Sequence, residues 1–337
     1  MPPPRAGLAR VTRRAPAVVA LAMLAGLVLG PGCRSGAPGG APEPAAPRDG
    51  SRPGVGADRS AAPARPGASR TFGGARPALV VAPRDAGGPL PLLLVLHSYG
   101  DGGRTVATYL GYLALARRER LVLVVPEGLR DRRGVHFWNA SDACCNLDGN
   151  PVDDVAYLRG LVAEVKAAYP IDAARVYAVG VSNGGFMAHR LACDAADDFA
   201  AILSIAGVPW QDAARCKPSS PVSVLQVHAD TDRVVRYPGG RDVLGLPAAP
   251  YPGAVATVAR WAALDRCGGP PKPAGRNLDL DETVPGTETE IAVAPGCPAG
   301  VGVELWTMRG AAHVPAFADH FARLSFAWLE AHPKRPR

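Results

Sequence analysis

Short, uninterrupted apolar runs alternate along the chain with longer stretches in which apolar residues return every three or four positions. The short runs Ala78–Ala82, Leu92–Leu96, Leu121–Val125, Val176–Gly180, Ala201–Ile205, Val222–Val227 and Val301–Met308 predict strands. The longer stretches Thr105–Arg118, Asp153–Tyr169, Gly185–Cys193, Ala254–Asp265 and Ala316–Glu330 predict helices. Asp154-Val-Ala-Tyr-Leu-Arg-Gly-Leu-Val-Ala-Glu-Val165 shows the spacing of a helix with one face on a sheet. Asp153 or Asp154 supplies its N-cap, and Pro170 stops it. The strands carry almost no polar alternation, so both of their faces must be covered. The pattern therefore predicts an α/β domain with a mostly parallel sheet and helices on both faces.

Composition divides the chain before and after that domain. In residues 1–33, Arg5, Arg10, Arg13 and Arg14 precede the apolar run Ala15–Leu29, the pattern of an export signal. This run is shorter than the roughly 20 residues that span a bilayer. It ends Gly-Pro-Gly-Cys33, which resembles a lipoprotein signal, so membrane attachment through a lipidated Cys33 is one expectation and ordinary cleavage the other. Residues 34–76 are rich in Pro, Gly, Ala and Arg and predict a disordered tether. Residues 77–331 are left for the α/β domain and 332–337 for a basic tail.

The net charge of +7 does not imply a nucleic-acid partner, because it sits in these flanks. The four leader arginines give +4, seven arginines against three acidic residues give +4 in 34–76, and Lys334, Arg335 and Arg337 give +3, so the stretch between carries −4. Beyond Cys33 there are six cysteines, Cys144, Cys145, Cys193, Cys216, Cys267 and Cys297, an even set that suits up to three disulfides in an exported chain. Cys267 and Cys297 bracket a Pro/Gly/Asp-rich insertion and are the favoured pair. The spacing has no paired C-x-x-C units, and no metal site is expected.

Gly180-Val-Ser-Asn-Gly184 follows the apolar run ending at Val179 and precedes a helical stretch. A strand, a G-x-S-x-G turn and a helix, in that order, make the nucleophile elbow of an α/β-hydrolase, with Ser182 as nucleophile. Such a serine needs a base and an acid, which in this fold follow in the chain order Ser, Asp, His. The strand at 222–227 runs into His228-Ala-Asp-Thr-Asp-Arg-Val-Val235, similar to a hydrolase loop H-G-x-x-D-x-x-V. That likeness puts the acid at Asp232, ahead of Asp230, whose alternative role is to bind turn amides. His313 lies in a small-residue loop between the last strand and the last helix, where the base is needed. Of the other histidines, His97 sits on a different loop, His136 and His320 lack a strand-end position, and His189 falls inside a helix as surface or packing. The oxyanion donors expected are the amides of Asn183, next to the nucleophile, and Tyr99, in the loop after Leu92–Leu96.

These segments occur in one order: Leu96-His-Ser-Tyr-Gly100, Phe137-Trp-Asn-Ala140, Ala143-Cys-Cys145, Val152-Asp-Asp-Val-Ala-Tyr-Leu158 and Ser182-Asn-Gly-Gly-Phe-Met187, then the two later loops. Together they resemble the secreted esterases grouped as polyhydroxybutyrate depolymerase-like and feruloyl or acetylxylan esterases, carbohydrate esterase family 1-like. The resemblance implies an α/β-hydrolase fold, a cofactor-free serine esterase and an ester substrate, and it makes Trp138 a candidate wall of the acyl pocket. It departs from the family at Ala229, at Ala311-Ala312 and at Val314, where the family carries Gly, Gly-Gly and often Trp. Feruloyl, acetyl or other soluble esters are the favoured substrates and a polyester the alternative, since residues 34–76 hold too few aromatics for a polymer-binding surface. A serine peptidase and a non-catalytic surface-binding protein are the competing classes.

Overall fold

In chain order the computed structural model forms strands β1 (Leu79–Val81), β2 (Leu90–Leu96), β3 (Val122–Val125), β4 (Leu129–Arg130), β5 (His136–Phe137), β6 (Ile171–Val181), β7 (Ala201–Ile205), β8 (Ser223–Ala229), β9 (Gly239–Val243), β10 (Leu246–Pro252), β11 (Lys272–Leu278), β12 (Thr289–Val293) and β13 (Val303–Met308). The helices are α1 (Gly103–Tyr109), α2 (Tyr112–Arg118), α3 (Asp154–Ala168), α4 (Asn183–Asp194), α5 (Ala254–Leu264) and α6 (Phe321–Glu330). The structure describes residues 71–85 and 87–335. The expected leader, Cys33 and nearly all of the expected tether lie outside them.

Nine strands make the central sheet in the order β1-β3-β2-β6-β7-β8-β13-β12-β11. The five pairings from β3 to β13 are parallel, and the flanking β1, β12 and β11 are antiparallel. β2 shows why its sequence carries no polar residue. Leu92, Leu94 and Leu96 enter the core shared with α3, α4 and α5, whereas Leu93 and Val95 enter the core shared with α1, α2 and α6. A strand in the middle of a doubly covered sheet has no solvent face on which to place a polar side chain. The fold class read from the pattern is the one found.

Several boundaries differ from the expectation, each for a local reason. The helix expected over 105–118 is two helices, because Gly111 takes φ +78° between them. The last helix begins at Phe321 rather than Ala316, because the chain before it is drawn into backbone pairing: Glu282 N–H donates to Ala316 O, and Ala318 N–H to Leu280 O. The Pro/Gly-rich insertion between Cys267 and Cys297 is not loop throughout. It holds β11 and β12, which extend the sheet at its edge, and the two cysteines are bonded. The apolar pattern does not reveal the hairpin β9–β10, since its two-residue turn puts Leu244 and Gly245 at positive φ without an Asn-Gly signature.

Packing also extends past both expected domain boundaries. Before residue 77, Phe72 is buried, and the Arg76 guanidinium binds the buried Asp154 carboxylate at 2.7 Å. In the expected basic tail, Lys334 Nζ donates to the carbonyls of Ala196, Phe199 and Pro221.

Candidate active site

Ser182 stands between β6 and α4, at φ 52° and ψ −116°. A non-glycine residue rarely takes such a backbone, and the surroundings enforce it here. Ser182 N–H is tied to Ile205 O on β7 at 2.7 Å. A Cβ on Gly180 would come within 2.0 Å of Gly184 O, and one on Gly184 within 2.3 Å of Leu96 O. The two glycines of the motif are therefore points of backbone-on-backbone contact. The second presses the start of α4 against the end of β2, where the loop with Tyr99 begins.

Two loops from other strands meet Ser182. Asp232 follows β8, and His313 follows β13, the parallel neighbour of β8. His313 Nδ1 lies 2.7 Å from Asp232 Oδ2, and His313 Nε2 lies 3.1 Å from Ser182 Oγ. An ionised carboxylate can only accept, so Nδ1 carries the proton and Nε2 offers its lone pair to the serine hydroxyl. The Asp232 side chain has no exposed surface. Its other oxygen, Oδ1, accepts the amides of Val234 at 2.8 Å and Val235 at 3.0 Å. Burial pushes this carboxyl up, but the hydrogen bonds from His228 and His313 outweigh it and hold the group well below the usual carboxylate range. Asp232 is therefore ionised wherever the domain is folded at ordinary pH.

The competing carboxylate is turned elsewhere. Asp230 accepts the Gly310 amide at 2.7 Å and pairs with Arg309, so it shapes the loop that carries His313 and does not touch the imidazole. Asp153 caps α3 through the Ala156 amide, as the sequence suggests. Asp154 is a buried structural anion between Arg76 and the Asn139 amide.

Asn183 opens α4, so its amide has no carbonyl four residues earlier within the helix to accept it. Its side chain is locked by the Trp138 backbone, whose N–H donates to Oδ1 at 2.7 Å and whose carbonyl accepts from Nδ2 at 3.0 Å. Trp138 itself does not line an acyl pocket, contrary to the expectation. The residue is fully buried, its indole N–H donates to His97 O at 3.1 Å, and its ring packs 4.8 Å from the His97 imidazole. Trp138 thus joins the Tyr99 loop to the serine elbow. The Tyr99 hydroxyl donates to Asp131 and receives Arg133, which directs the ring to the neighbouring 131–135 turn.

His97, Glu127 and His136 bring potential metal ligands together among the described residues. They do not form a usable site, because both nitrogens of His97 are engaged. Nδ1 donates to Ser98 O at 2.7 Å, and Nε2 accepts the Gly128 amide at 2.8 Å. Burial lowers the His97 imidazole to about 4, so it acts as a neutral strut beneath the loop. A cleft of about 370 Å³ opens between residues 139–147 and the β9–β10 turn, and none of Ser182, Asp232 and His313 lines it. The six described cysteines form three disulfides, Cys144–Cys145, Cys193–Cys216 and Cys267–Cys297.

No protein-family model matches the chain. The chain is 29% identical over 227 residues to NocK of Nocardia uniformis subsp. tsuyamanensis, named as an esterase, covering 66% of this chain and 64% of NocK. It is 32% identical over 181 residues to feruloyl esterase B of Piromyces equi, covering 52% of this chain and 31% of that protein. The chain thus spans less than two thirds of the length of these curated relatives. In structure it is similar to the acetyl xylan esterase from Aspergillus awamori, with a TM-score of 0.52 at 14% identity, over 76% of this chain and 94% of that one. The chain is an α/β-hydrolase by fold, and in sequence it is similar to proteins named as esterases and feruloyl esterases.

Proposed function

We propose that the chain is an exported serine carboxylic ester hydrolase that works by acyl transfer through Ser182, His313 and Asp232. One observation carries this reading: the continuous hydrogen-bonded line from the Asp232 carboxylate through His313 to the Ser182 hydroxyl. As Ser182 Oγ attacks an ester carbonyl, its proton passes to His313 Nε2. Asp232 stabilises the imidazolium so formed and keeps the proton of Nδ1 in place. The amides of Asn183 and Tyr99 receive the negative oxygen of the tetrahedral intermediate. His313 then gives its proton to the leaving alcohol. Water, deprotonated by the same nitrogen, cleaves the acyl-serine, so ester and water become acid and alcohol with the enzyme restored.

The names of the relatives favour feruloyl- or acetyl-type esters as the substrate class. Three disulfides suit an oxidising compartment. The test is a panel of p-nitrophenyl acetate, methyl ferulate, acetylated xylan, hydroxybutyrate oligomers and a peptide anilide, assayed with the wild type and with Ser182→Ala. We expect turnover of one or more esters, none of the anilide, and no ester turnover in the variant. Ester hydrolysis that survives Ser182→Ala overturns the proposal.

A further inference from the structure

Behind the triad acid runs a line of buried polar side chains that the acyl-transfer steps do not use. Trp261 on α5 donates its indole N–H to His189 Nδ1 at 3.0 Å. His189 on α4 meets Gln226 Oε1 through Nε2 at 2.9 Å. Gln226 on β8 donates from Nε2 to Gly207 O at 3.0 Å and lies 3.4 Å from His228 Nδ1. His228 Nε2, in turn, lies 2.8 Å from Val235 O and 3.4 Å from Asp232 Oδ2. Trp261, His189, Gln226 and His228 are each at most 1% exposed.

The protons along this line have one consistent arrangement. An indole N–H can only donate, so His189 Nδ1 accepts and Nε2 carries the hydrogen. Gln226 must then receive that hydrogen on Oε1. Its Nε2 hydrogens go to Gly207 O, which can only accept, and toward His228 Nδ1. His228 Nδ1 is therefore an acceptor, and Nε2 holds the hydrogen against Val235 O and Asp232 Oδ2. Burial, which lowers His189 to about 4, keeps that ring neutral and the sequence of donors intact.

We infer that His228 is a positioning residue for the proposed ester hydrolysis, held in its Nε2–H tautomer by Trp261, His189 and Gln226 so that it fixes the carboxylate of Asp232. This inference rests on the serine-hydrolase reading. Asp232 Oδ2 is the same oxygen that binds His313 Nδ1. A neutral N–H beside it orients the carboxylate without supplying a second cation to compete for its charge. The opposite tautomer would turn a lone pair toward both Val235 O and Asp232 Oδ2, and buried acceptors facing one another are costly. Sub-ångström placement of the acid then passes through His313 to the serine.

The test measures kcat and KM on a short p-nitrophenyl ester for the wild type, Ser182→Ala, His228→Phe, His228→Gln and Gln226→Met. Each value is normalised to sites titrated to completion with a fluorophosphonate, except that of Ser182→Ala, which is normalised to protein concentration. His228→Phe removes the hydrogen, and we expect kcat per titrated site to fall about 10- to 100-fold, as misplaced catalytic groups do, with KM little changed. His228→Gln returns an N–H near the same place and should recover most of the loss. Gln226→Met breaks the tautomer lock while leaving His228 in place, should lose kcat in the same sense but less, and serves if His228→Phe does not fold. Per-site kcat within about two-fold of wild type in both His228→Phe and Gln226→Met, or a His228→Gln variant as poor as His228→Phe, overturns the inference. A wild type with no ester turnover, or turnover that persists in Ser182→Ala, overturns the hydrolase reading beneath it, and is distinguished by that control.

Discussion

Two carboxylates two residues apart, Asp230 and Asp232, take opposite parts because of what each oxygen meets. Asp232 is buried against two amides and His313, whereas Asp230 reaches out to Gly310 and Arg309. Replacing Asp232 with Asn leaves a group that can donate where His313 must donate, which disfavours the productive tautomer. We expect turnover to drop about 10³–10⁴-fold, and steady-state kinetics on the active ester should give a far milder loss for Asp230→Asn. The reverse ranking would reassign the acid. At this scale the three proposed catalytic residues were legible because each sits at the end of a strand whose apolar run marks it. Trp138 was not legible in its actual role. Its place against His97 and Asn183 arises from the folding of the 126–150 connection, and nothing within a few residues of it encodes that burial. The same holds for His189, which a helical pattern leaves as an ordinary packed residue until β8 and α5 are placed against it.

At the scale of elements, continuous apolar runs identified the buried parallel strands, and the antiparallel margin escaped. Edge strands such as β11 have one face and one side in water, so Lys272, Pro273, Gly275 and Arg276 are tolerated there and mask the strand. The Cys267–Cys297 bond closes a 30-residue span around this margin. By chain entropy, replacing both cysteines with Ala should cost about 3–4 kcal/mol, to be read from denaturant unfolding under non-reducing conditions. Since β11 and β12 lie outward of β13 rather than in the His313 loop, kcat on the active ester should survive the change at a temperature where the variant is folded. A loss of kcat equal to that of Ser182→Ala would mean that the edge shapes the site.

For the whole molecule, the two cores are welded by the sheet, and a few buried polar groups set its response to pH. Asp265, at the end of α5, is fully buried. It accepts the Val222 amide on Oδ1 and has no hydrogen-bond partner on Oδ2 among the described residues. Burial pushes its carboxyl up to about 7. Below about pH 4 the group is protonated in folded and unfolded chains alike and costs nothing. Between there and pH 7 the unfolded chain releases the proton and the folded one keeps it, so stability falls by about 1.4 kcal/mol per pH unit, roughly 4 kcal/mol in all, and then levels off. Asp265→Asn keeps the acceptor for Val222 and removes this slope. Its stability relative to wild type, from urea unfolding at pH 5 and pH 8, should rise between the two, and a difference that does not change with pH would contradict the assignment. The central claim, that Ser182 is a nucleophile activated by His313 and Asp232, is tested most directly by reacting the full chain with a fluorophosphonate and mapping the adduct by mass spectrometry. One phosphonyl group on Ser182, absent in Ser182→Ala and formed far more slowly in His313→Ala, is the predicted result. An unlabelled Ser182, or labelling at the same rate without His313, would contradict it.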